Sequence, residues 1–203
     1  MTYLNKLKNH KNSVISLTLG LVAIVMIVSL VLPQHYGSTT RLLIIQNQSQ
    51  SVDSYLAAKA AEKIGNMFSE VVYSSSFFDK VWTAGYNIGK DWGETERERR
   101  KLWQQRIDIQ MVPQTSLLEI TAYSVDRNQA EQLVQAVSAI VIGQGSEYYG
   151  PTDQVQIKLI DKPITSRYPV KPNLLVNGLE ALGLGLVLSL LYVYLKPDKR
   201  RED

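Results

Sequence analysis

The sequence predicts a mixed α+β domain set between two membrane-spanning helices. Two long apolar runs lie near the ends of the 203-residue chain, and the segment between them is as polar as a soluble domain. Helical and strand periodicities alternate within that middle segment. The chain contains no cysteine, which excludes disulfides, thiolate metal sites and a cysteine nucleophile.

The basic residues in excess are confined to the flanks of the two apolar runs. Lys6, Lys8 and Lys11 precede the first run without any acidic residue, and the tail at residues 196–203 holds four basic and three acidic side chains. Between residues 34 and 173 the charges balance, with 15 basic and 15 acidic side chains. Basic flanks mark the cytoplasmic ends of membrane spans. This distribution predicts that both termini are cytoplasmic, and it argues against nucleic acid as a partner.

The first apolar run, residues 14–32, contains no charge and follows a short cytoplasmic segment at residues 1–13. Its 19 residues would extend about 28 Å as a helix, close to the thickness of the hydrocarbon core of a bilayer. A secretory signal has a shorter apolar core and a small-residue cleavage site, whereas Pro33 to Tyr36 (PQHY) follow here. We therefore expect an uncleaved membrane anchor.

The second apolar run, residues 174–195, is long enough to span the membrane with some tilt. Gly178, Gly183 and Gly185 give it a small-residue surface that suits close helix packing. Glu180 is a charged group inside this run, and such a group usually faces a protein partner rather than lipid. We expect helix–helix packing at these four residues. The alternative is that Glu180, only two turns into the helix, reaches the interface or is protonated.

Four segments of the middle region carry strand patterns. Residues 39–46 are short and β-branched with an apolar centre, and residues 107–111 alternate apolar and polar side chains. A turn that holds Pro113 leads to a second alternating segment at residues 117–123. Alternation returns at residues 155–159, which predicts the last strand.

Helix patterns occupy the intervals between these strands. Apolar spacing predicts a helix at residues 55–71, a short helix at 77–82 and a strongly charged helix at 94–106. Asp126 has the side chain of an N-cap for a further helix, whose apolar face continues to Gly143.

The order of these patterns is β-α-(α-α)-β-β-α-β, which is the split βαββαβ arrangement. It predicts a ferredoxin-like α+β domain at residues 33–162, outside the cytoplasm, with helices packed on one face of the sheet. Pro163, Pro169 and Pro172 follow, and proline fixes φ and removes a backbone donor. We expect residues 163–173 to form an extended, semi-rigid segment that holds the domain at a set height above the second span. The alternative is a simple linker.

Three motifs of the chain resemble motifs of a known family. The segment DKPITSRYPVKPN carries Pro163, Pro169 and Pro172 and leads into the glycine-containing second run. SSFFDKV at residues 75–81 has serine followed by apolar residues and valine, and residues 117–137 (LLEITAYSVDRNQAEQLVQAV) combine a strand with an Asp-led helix. Through these motifs the chain resembles the Wzz-type polysaccharide co-polymerases, also called chain-length determinant proteins, over nearly its whole length.

The chain departs from that family in two places. Arg127 stands where the family commonly has proline, and about 25 residues before the strand at 107–111 leave no room for the long helical hairpin of larger Gram-negative members. This short form is closer in size to the Gram-positive-type adaptors that partner a separate tyrosine kinase. The chain has no Walker A sequence and its tail has no tyrosine cluster, so it is not itself such a kinase.

The resemblance implies a non-enzymatic regulator of the polymerisation, chain length or export of a surface polysaccharide (the O-antigen of lipopolysaccharide, capsule or exopolysaccharide). It implies a homo-oligomer in the bacterial inner (plasma) membrane that contacts the polysaccharide polymerase, with the central domain periplasmic or extracellular. The alternative function is a transmembrane adaptor or activator of a cytoplasmic tyrosine kinase in polysaccharide biosynthesis. A two-span sensor is a third alternative, and it is disfavoured because no output domain follows the second run.

The sequence offers no constellation for catalysis, and we predict no catalytic, metal or cofactor site. There is no GxSxG elbow, and His10 and His35 lie on opposite sides of the first span, where they cannot form a metal pair. Acidic residues are scattered over predicted strands and turns rather than grouped. The basic run ERERRK at residues 96–101 could bind an anionic sugar or a phospholipid headgroup, but such a run is more often a solvated helix face, which we favour.

Overall fold

The computed structural model describes Leu7 and residues 10–46, 54–89, 91–150 and 155–196. The chain divides into two compact units. One unit contains residues 35–170, and the other contains the terminal segments 1–34 and 171–203. Most of the predicted cytoplasmic ends, residues 1–13 and 196–203, lies outside the described residues.

The helices of the described residues are α1 (Lys11–Val31), α2 (Ser54–Val71), α3 (Ser75–Thr83), α4 (Glu96–Arg106), α5 (Arg127–Gln144), α6 (Ser146–Tyr149) and α7 (Leu174–Leu195). The strands are β1 (Tyr36–Gln46), β2 (Ile107–Met111), β3 (Leu117–Ser124) and β4 (Val155–Thr165). Helices α1 and α7, of 21 and 22 residues, are long and apolar enough to cross a membrane. The prediction of a mixed α+β chain with an apolar helix near each end is confirmed.

The four strands form one sheet in the order β2-β3-β1-β4, and every neighbouring pair is antiparallel. In the central pair, Arg41 lies opposite Glu119 and Thr39 lies opposite Thr121. The register between β1 and β4 shifts on both sides of Arg41, where Asp161 is the β4 partner. Because side chains alternate across a strand, these five residue positions lie on one face of the sheet.

The other face of the sheet is buried. Ile109, Leu118 and Ile120 belong to one hydrophobic core with residues of α2 and α5, and both helices contact the sheet. Trp103 of α4 is also part of this core, and its indole Nε1 donates to the carbonyl of Val72 at 2.7 Å. A fully buried large apolar side chain stabilises a fold by about 1.5–3 kcal/mol relative to leaving it exposed. The domain is therefore held by one continuous core on one side of the sheet.

Side-chain caps fix the starts of α3, α4, α5 and α7. Asp126 accepts a hydrogen bond from the backbone N–H of Gln129 at 2.9 Å, which confirms the predicted N-cap of α5. Helix α4 begins at Glu96 rather than at residue 94, because Thr95 forms a reciprocal capping box with Glu98. The Thr95 hydroxyl accepts from the N–H of Glu98, and the Glu98 carboxylate accepts from the N–H of Thr95.

Two strands are longer than the sequence patterns predicted. Strand β1 begins at Tyr36, three residues before the predicted start, because its first residues pair with the end of β3. Strand β4 continues beyond residue 159 to Thr165, and Pro163 therefore lies within the strand. β4 is at the edge of the sheet, where a missing backbone donor is tolerated.

Candidate functional site

Helix α7 packs against α1 through small side chains. Ala181, Gly185 and Ser189 recur every four residues and are buried, so they form one stripe along the helix. A Cβ atom built at Gly185 would lie 3.1 Å from the Thr18 methyl and 3.2 Å from the Thr18 Cα atom. The close approach of the two backbones therefore depends on the missing side chain of Gly185.

Two polar contacts join these helices at separate levels. The hydroxyl groups of Thr18 and Ser189 lie 3.3 Å apart in a buried contact. The Asn177 side-chain amide donates to the Ser29 hydroxyl at 2.9 Å. The first contact joins the N-terminal half of α1 to the C-terminal half of α7, and the second joins the end of α1 to the beginning of α7. This is the arrangement of antiparallel helices. These contacts fix the register of the pair, because a slip of one turn would leave polar groups without partners in an apolar environment.

The four residues predicted for helix packing divide between two sides of α7. Gly185 lies against Thr18, and the Cβ position of Gly178 is 3.6 Å from the sulfur of Met26. Glu180 is exposed, and among the described residues nothing lies within 4 Å of a Cβ built at Gly183. At about 100° per residue, Glu180 and Gly183 lie on the side of the helix opposite Gly185. One side of α7 is thus occupied by α1, and the other carries a carboxylate and a glycine.

The predicted proline segment lies alongside the beginning of β1. After Pro163 within β4, the N–H of Ser166 donates to the carbonyl of Gly37 at 2.8 Å. The N–H of Val170, just after Pro169, donates to the carbonyl of His35 at 2.8 Å. These bonds hold residues 166–170 against the first strand. Pro172 belongs to the other compact unit, one residue before Asn173, which caps α7 through its side chain.

The exposed face of the sheet contains a groove whose residues were not among the predicted site residues. Its volume is about 480 Å³, and all the residues around it belong to the α+β unit. We call it the open-face groove, and its principal side chains are Thr39, Arg41, Thr121, Tyr123, Asp161 and Ile164.

Hydrogen bonds between side chains of neighbouring strands hold the polar groups of this groove in place. The hydroxyls of Thr39 and Thr121 lie 2.8 Å apart. Arg41 donates from Nε to the Glu119 carboxylate at 2.8 Å, and its Nη1 is 4.0 Å from the Asp161 carboxylate. The hydrogen bond to Glu119 uses Nε, and 49% of the Arg41 side chain is exposed, so its terminal nitrogens can donate to a further acceptor.

Two groups of the groove have shifted pKa values. The hydrogen bond from Arg41 to Glu119, and then the charge of that carboxylate, raise the pKa of Arg41. Burial raises the pKa of the Tyr123 phenol, and the carboxylates of Asp108 and Glu119 raise it further. At neutral pH the groove therefore presents a charged guanidinium and a protonated phenol, both of which can donate hydrogen bonds.

The sequence contained part of the signal for this groove. In β3, Glu119 and Thr121 alternate with apolar residues, which predicts that one face of this strand is solvated. In β1, residues 38–41 are all polar, so the sequence of that strand does not separate its two faces. The contribution of Asp161 and Ile164 could not be read in this way, because it depends on the register shift between β1 and β4. Of the scattered carboxylates, the sheet brings Glu119 and Asp161 to the same guanidinium.

The charged run on α4 forms ion pairs along its own helix. Glu96 accepts from Arg100 Nε at 3.1 Å and is 3.7 Å from a terminal nitrogen of Arg99. Its carboxylate also accepts a hydrogen bond from Ser75 on α3, and these hydrogen bonds lower the pKa of Glu96. Arg97 is exposed. Much of the run thus balances its own charge at the helix surface.

Among the described residues, no group of three histidine, cysteine, aspartate or glutamate side chains is placed to hold a metal ion. The features with defined geometry are therefore the α1–α7 contact, the segment along β1 and the open-face groove. No protein-family model and no curated protein matches this chain.

Proposed function

We propose that this protein is a non-enzymatic membrane regulator of surface polysaccharide polymerisation, chain length or export, and that it acts as a homo-oligomer. The observation that carries the proposal is the placement of one α+β domain between two apolar helices, each long enough to span a membrane. This is the plan of the Wzz-type co-polymerases, which the sequence motifs of residues 75–81 and 117–137 also resemble.

We infer further that the domain is a short ferredoxin-like fold. The sheet order β2-β3-β1-β4 with antiparallel neighbours supports this inference, because β1 and β2 then run in the same direction with β3 between them. Helices α3 and α4 are additions to the first crossover, between α2 and β2.

The basic flanks support an orientation with both termini in the cytoplasm of a bacterium and the domain in the periplasm or outside the cell. In this orientation a homo-oligomer would set chain length by its geometry and by contact with the polysaccharide polymerase. No bond is made or broken by this chain. Self-contacts would use helix faces of the domain and the exposed side of α7, where Glu180 and Gly183 lie.

The experiment is deletion of the gene in the source bacterium, followed by electrophoresis of the surface polysaccharide. We expect the size distribution to change, and expression of the intact chain to restore it. An unchanged distribution in the deletion strain contradicts the proposal. Measurement of the mass of the detergent-extracted protein tests the homo-oligomer separately, and a stable monomer contradicts that part.

A second candidate function is an adaptor or activator of a cytoplasmic tyrosine kinase. The basic tail at residues 196–203 favours it, although residues 197–203 lie outside the described part of the chain. The test is co-purification of a tyrosine kinase with the intact chain and with a variant that ends at residue 195. Loss of the kinase from the shortened variant supports the adaptor function, and equal recovery from both contradicts it.

A further inference from the structure

The open-face groove has the features of a ligand site rather than of a bare sheet surface. Its volume of about 480 Å³ lies in the range of small-molecule sites, about 300–1,000 Å³. Apolar surface and a few convergent polar groups line it together, as in such sites. We propose that this groove binds a neutral, hydroxyl-rich saccharide segment.

The polar groups of the groove match the hydroxyls of a sugar. Arg41 supplies terminal N–H donors, and Asp161 supplies carboxylate acceptors, with about half of each side chain exposed. Hydrogen bonds that involve charged groups are stronger than those between neutral groups. A sugar hydroxyl both donates and accepts, so adjacent hydroxyls can bridge the 4.0 Å between the guanidinium and this carboxylate. The paired hydroxyls of Thr39 and Thr121 extend the polar strip along the sheet.

The apolar side of the groove suits the carbon–hydrogen face of a sugar ring. Ile164 is 72% exposed on an edge strand, and Val170 is 40% exposed beside Gly37. Tyr123 contributes an aromatic ring with a polar tip, the type of side chain that serves ligands with one apolar and one polar face. Saccharides have this two-faced character, because ring hydroxyls and ring C–H groups point in different directions.

The charge of the groove selects against anionic ligands. Among the described residues that line it, Arg41 is the only cation, and it is already paired with Glu119 at 2.8 Å and faces Asp161. One guanidinium between two carboxylates leaves a net charge of about −1. A phosphate or an acidic sugar would meet these carboxylates and be repelled, whereas a neutral saccharide would not.

The biological source of the saccharide rests on the proposed function. Under that function, the bound segment would be the repeat unit of the surface polysaccharide. The chemistry of the groove does not depend on that source. The binding experiment therefore uses the full chain and defined probes. The protein is reconstituted in phosphatidylcholine nanodiscs, because a maltoside detergent would itself offer a sugar to the groove.

The probes are maltohexaose and chitohexaose as neutral saccharides, and hexagalacturonate and inorganic phosphate as anions. Binding is measured by saturation-transfer NMR on the wild type, Arg41→Gln, Thr121→Val and the control Arg97→Gln, whose residue is exposed on α4. We expect at least one neutral hexasaccharide to bind. We expect Arg41→Gln to weaken that binding about tenfold or more, Thr121→Val to weaken it less, and Arg97→Gln to leave it unchanged.

Three results would overturn the assignment: no binding of either neutral hexasaccharide, unchanged binding in a folded Arg41→Gln variant, or preferential binding of an anion. If Arg41→Gln does not fold, Asp161→Asn removes an acceptor of the same groove and is expected to weaken binding too. The gene-deletion experiment distinguishes the two proposals. Saccharide binding with an unchanged polysaccharide distribution contradicts only the proposed function, whereas an altered distribution without saccharide binding contradicts only the groove.

Discussion

The two units of the chain are packed in opposite ways. The α+β unit buries large side chains, including Phe68, Phe77 and Trp103, in one hydrophobic core that also contains residues of its sheet. The helical unit has a stripe of small residues and two polar contacts between its helices. The difference follows from the solvent that each unit is expected to meet. Removal of apolar surface from water drives the packing of the α+β unit. Lipid is already apolar, so a helical unit in lipid is held by close approach and hydrogen bonding.

Substitution of Trp103 by alanine should cause the largest loss of stability. Trp103 is 1% exposed, and its removal leaves a cavity and the Val72 carbonyl without its indole donor. We expect a loss of about 3–5 kcal/mol in the free energy of unfolding, measured by denaturant unfolding of the full chain in detergent. Trp82→Ala is the matched control, because Trp82 is 44% exposed and should lose much less. Equal losses would contradict a core centred on Trp103.

Enlargement of Gly185 should separate the two apolar helices. The chain lacks cysteine, so Thr18→Cys with Ser189→Cys provides a disulfide reporter where the native hydroxyls lie 3.3 Å apart. We expect this double variant to crosslink under mild oxidation and to lose most of the crosslink when Gly185→Leu is added. The measurement is the fraction of thiols protected from a maleimide label.

Gly183→Leu is the control for this crosslink, because the same side chain is placed where no neighbour lies within 4 Å in the described structure. It should leave the crosslink intact. If both leucine variants crosslink equally well, close packing at Gly185 does not determine the helix pair.

Loss of the cap of α4 should have a moderate effect. Thr95→Ala removes the hydroxyl that accepts from the N–H of Glu98, and loss of such a cap costs about 1 kcal/mol. Thr95→Ser keeps the acceptor and should retain most of the stability. The comparison is made by unfolding of the full chain, and an alanine variant as stable as the serine variant would exclude a stabilising role of the cap.

The pH dependence of this cap should give the smallest effect. The backbone N–H groups of Thr95 and Glu94 lower the pKa of the Glu98 carboxylate in the folded state. Its stabilising contribution is therefore complete above the unfolded pKa, about 4.3, and is lost as the pH falls through the lower folded value. We expect the stability advantage of the wild type over Glu98→Gln to shrink as the pH falls from about 5 to 3. An advantage over Glu98→Gln that stays constant with pH would contradict this cause. An advantage over the control Arg97→Gln that shrinks over the same pH range would contradict it too.

Local patterns predicted most elements, and tertiary pairing determined the rest. Alternation located residues 107–111 and the strand from Leu117, and Asp126 marked the start of α5. The first residues of β1, up to Ser38, were missed, and Ser38 is polar although it is buried. The Thr165 hydroxyl donates to the Ser38 hydroxyl at 3.0 Å, from a position 127 residues away that no local pattern specifies.

The helix contact shows the same limit. The sequence identified the glycines of α7 but could not assign each one to a side, because this requires knowing which face α1 covers. The buried positions of α1, Thr18 and Ser29, are polar residues within a mostly apolar run, and they lie eleven residues apart, which is about three helical turns. A search for polar residues at whole-turn spacing along this run would have indicated the face that α7 contacts.

Single-cysteine labelling tests the central claim most directly, because it asks whether the domain and the N-terminal segment lie on opposite sides of a membrane. Arg97→Cys places a thiol on the exposed surface of α4, and Asn12→Cys places one at the start of α1. With a membrane-impermeant maleimide on intact spheroplasts, we expect the residue 97 thiol to react and the residue 12 thiol to react only after permeabilisation. Protection of residue 97 until permeabilisation would contradict the two-span topology and the polysaccharide function built on it.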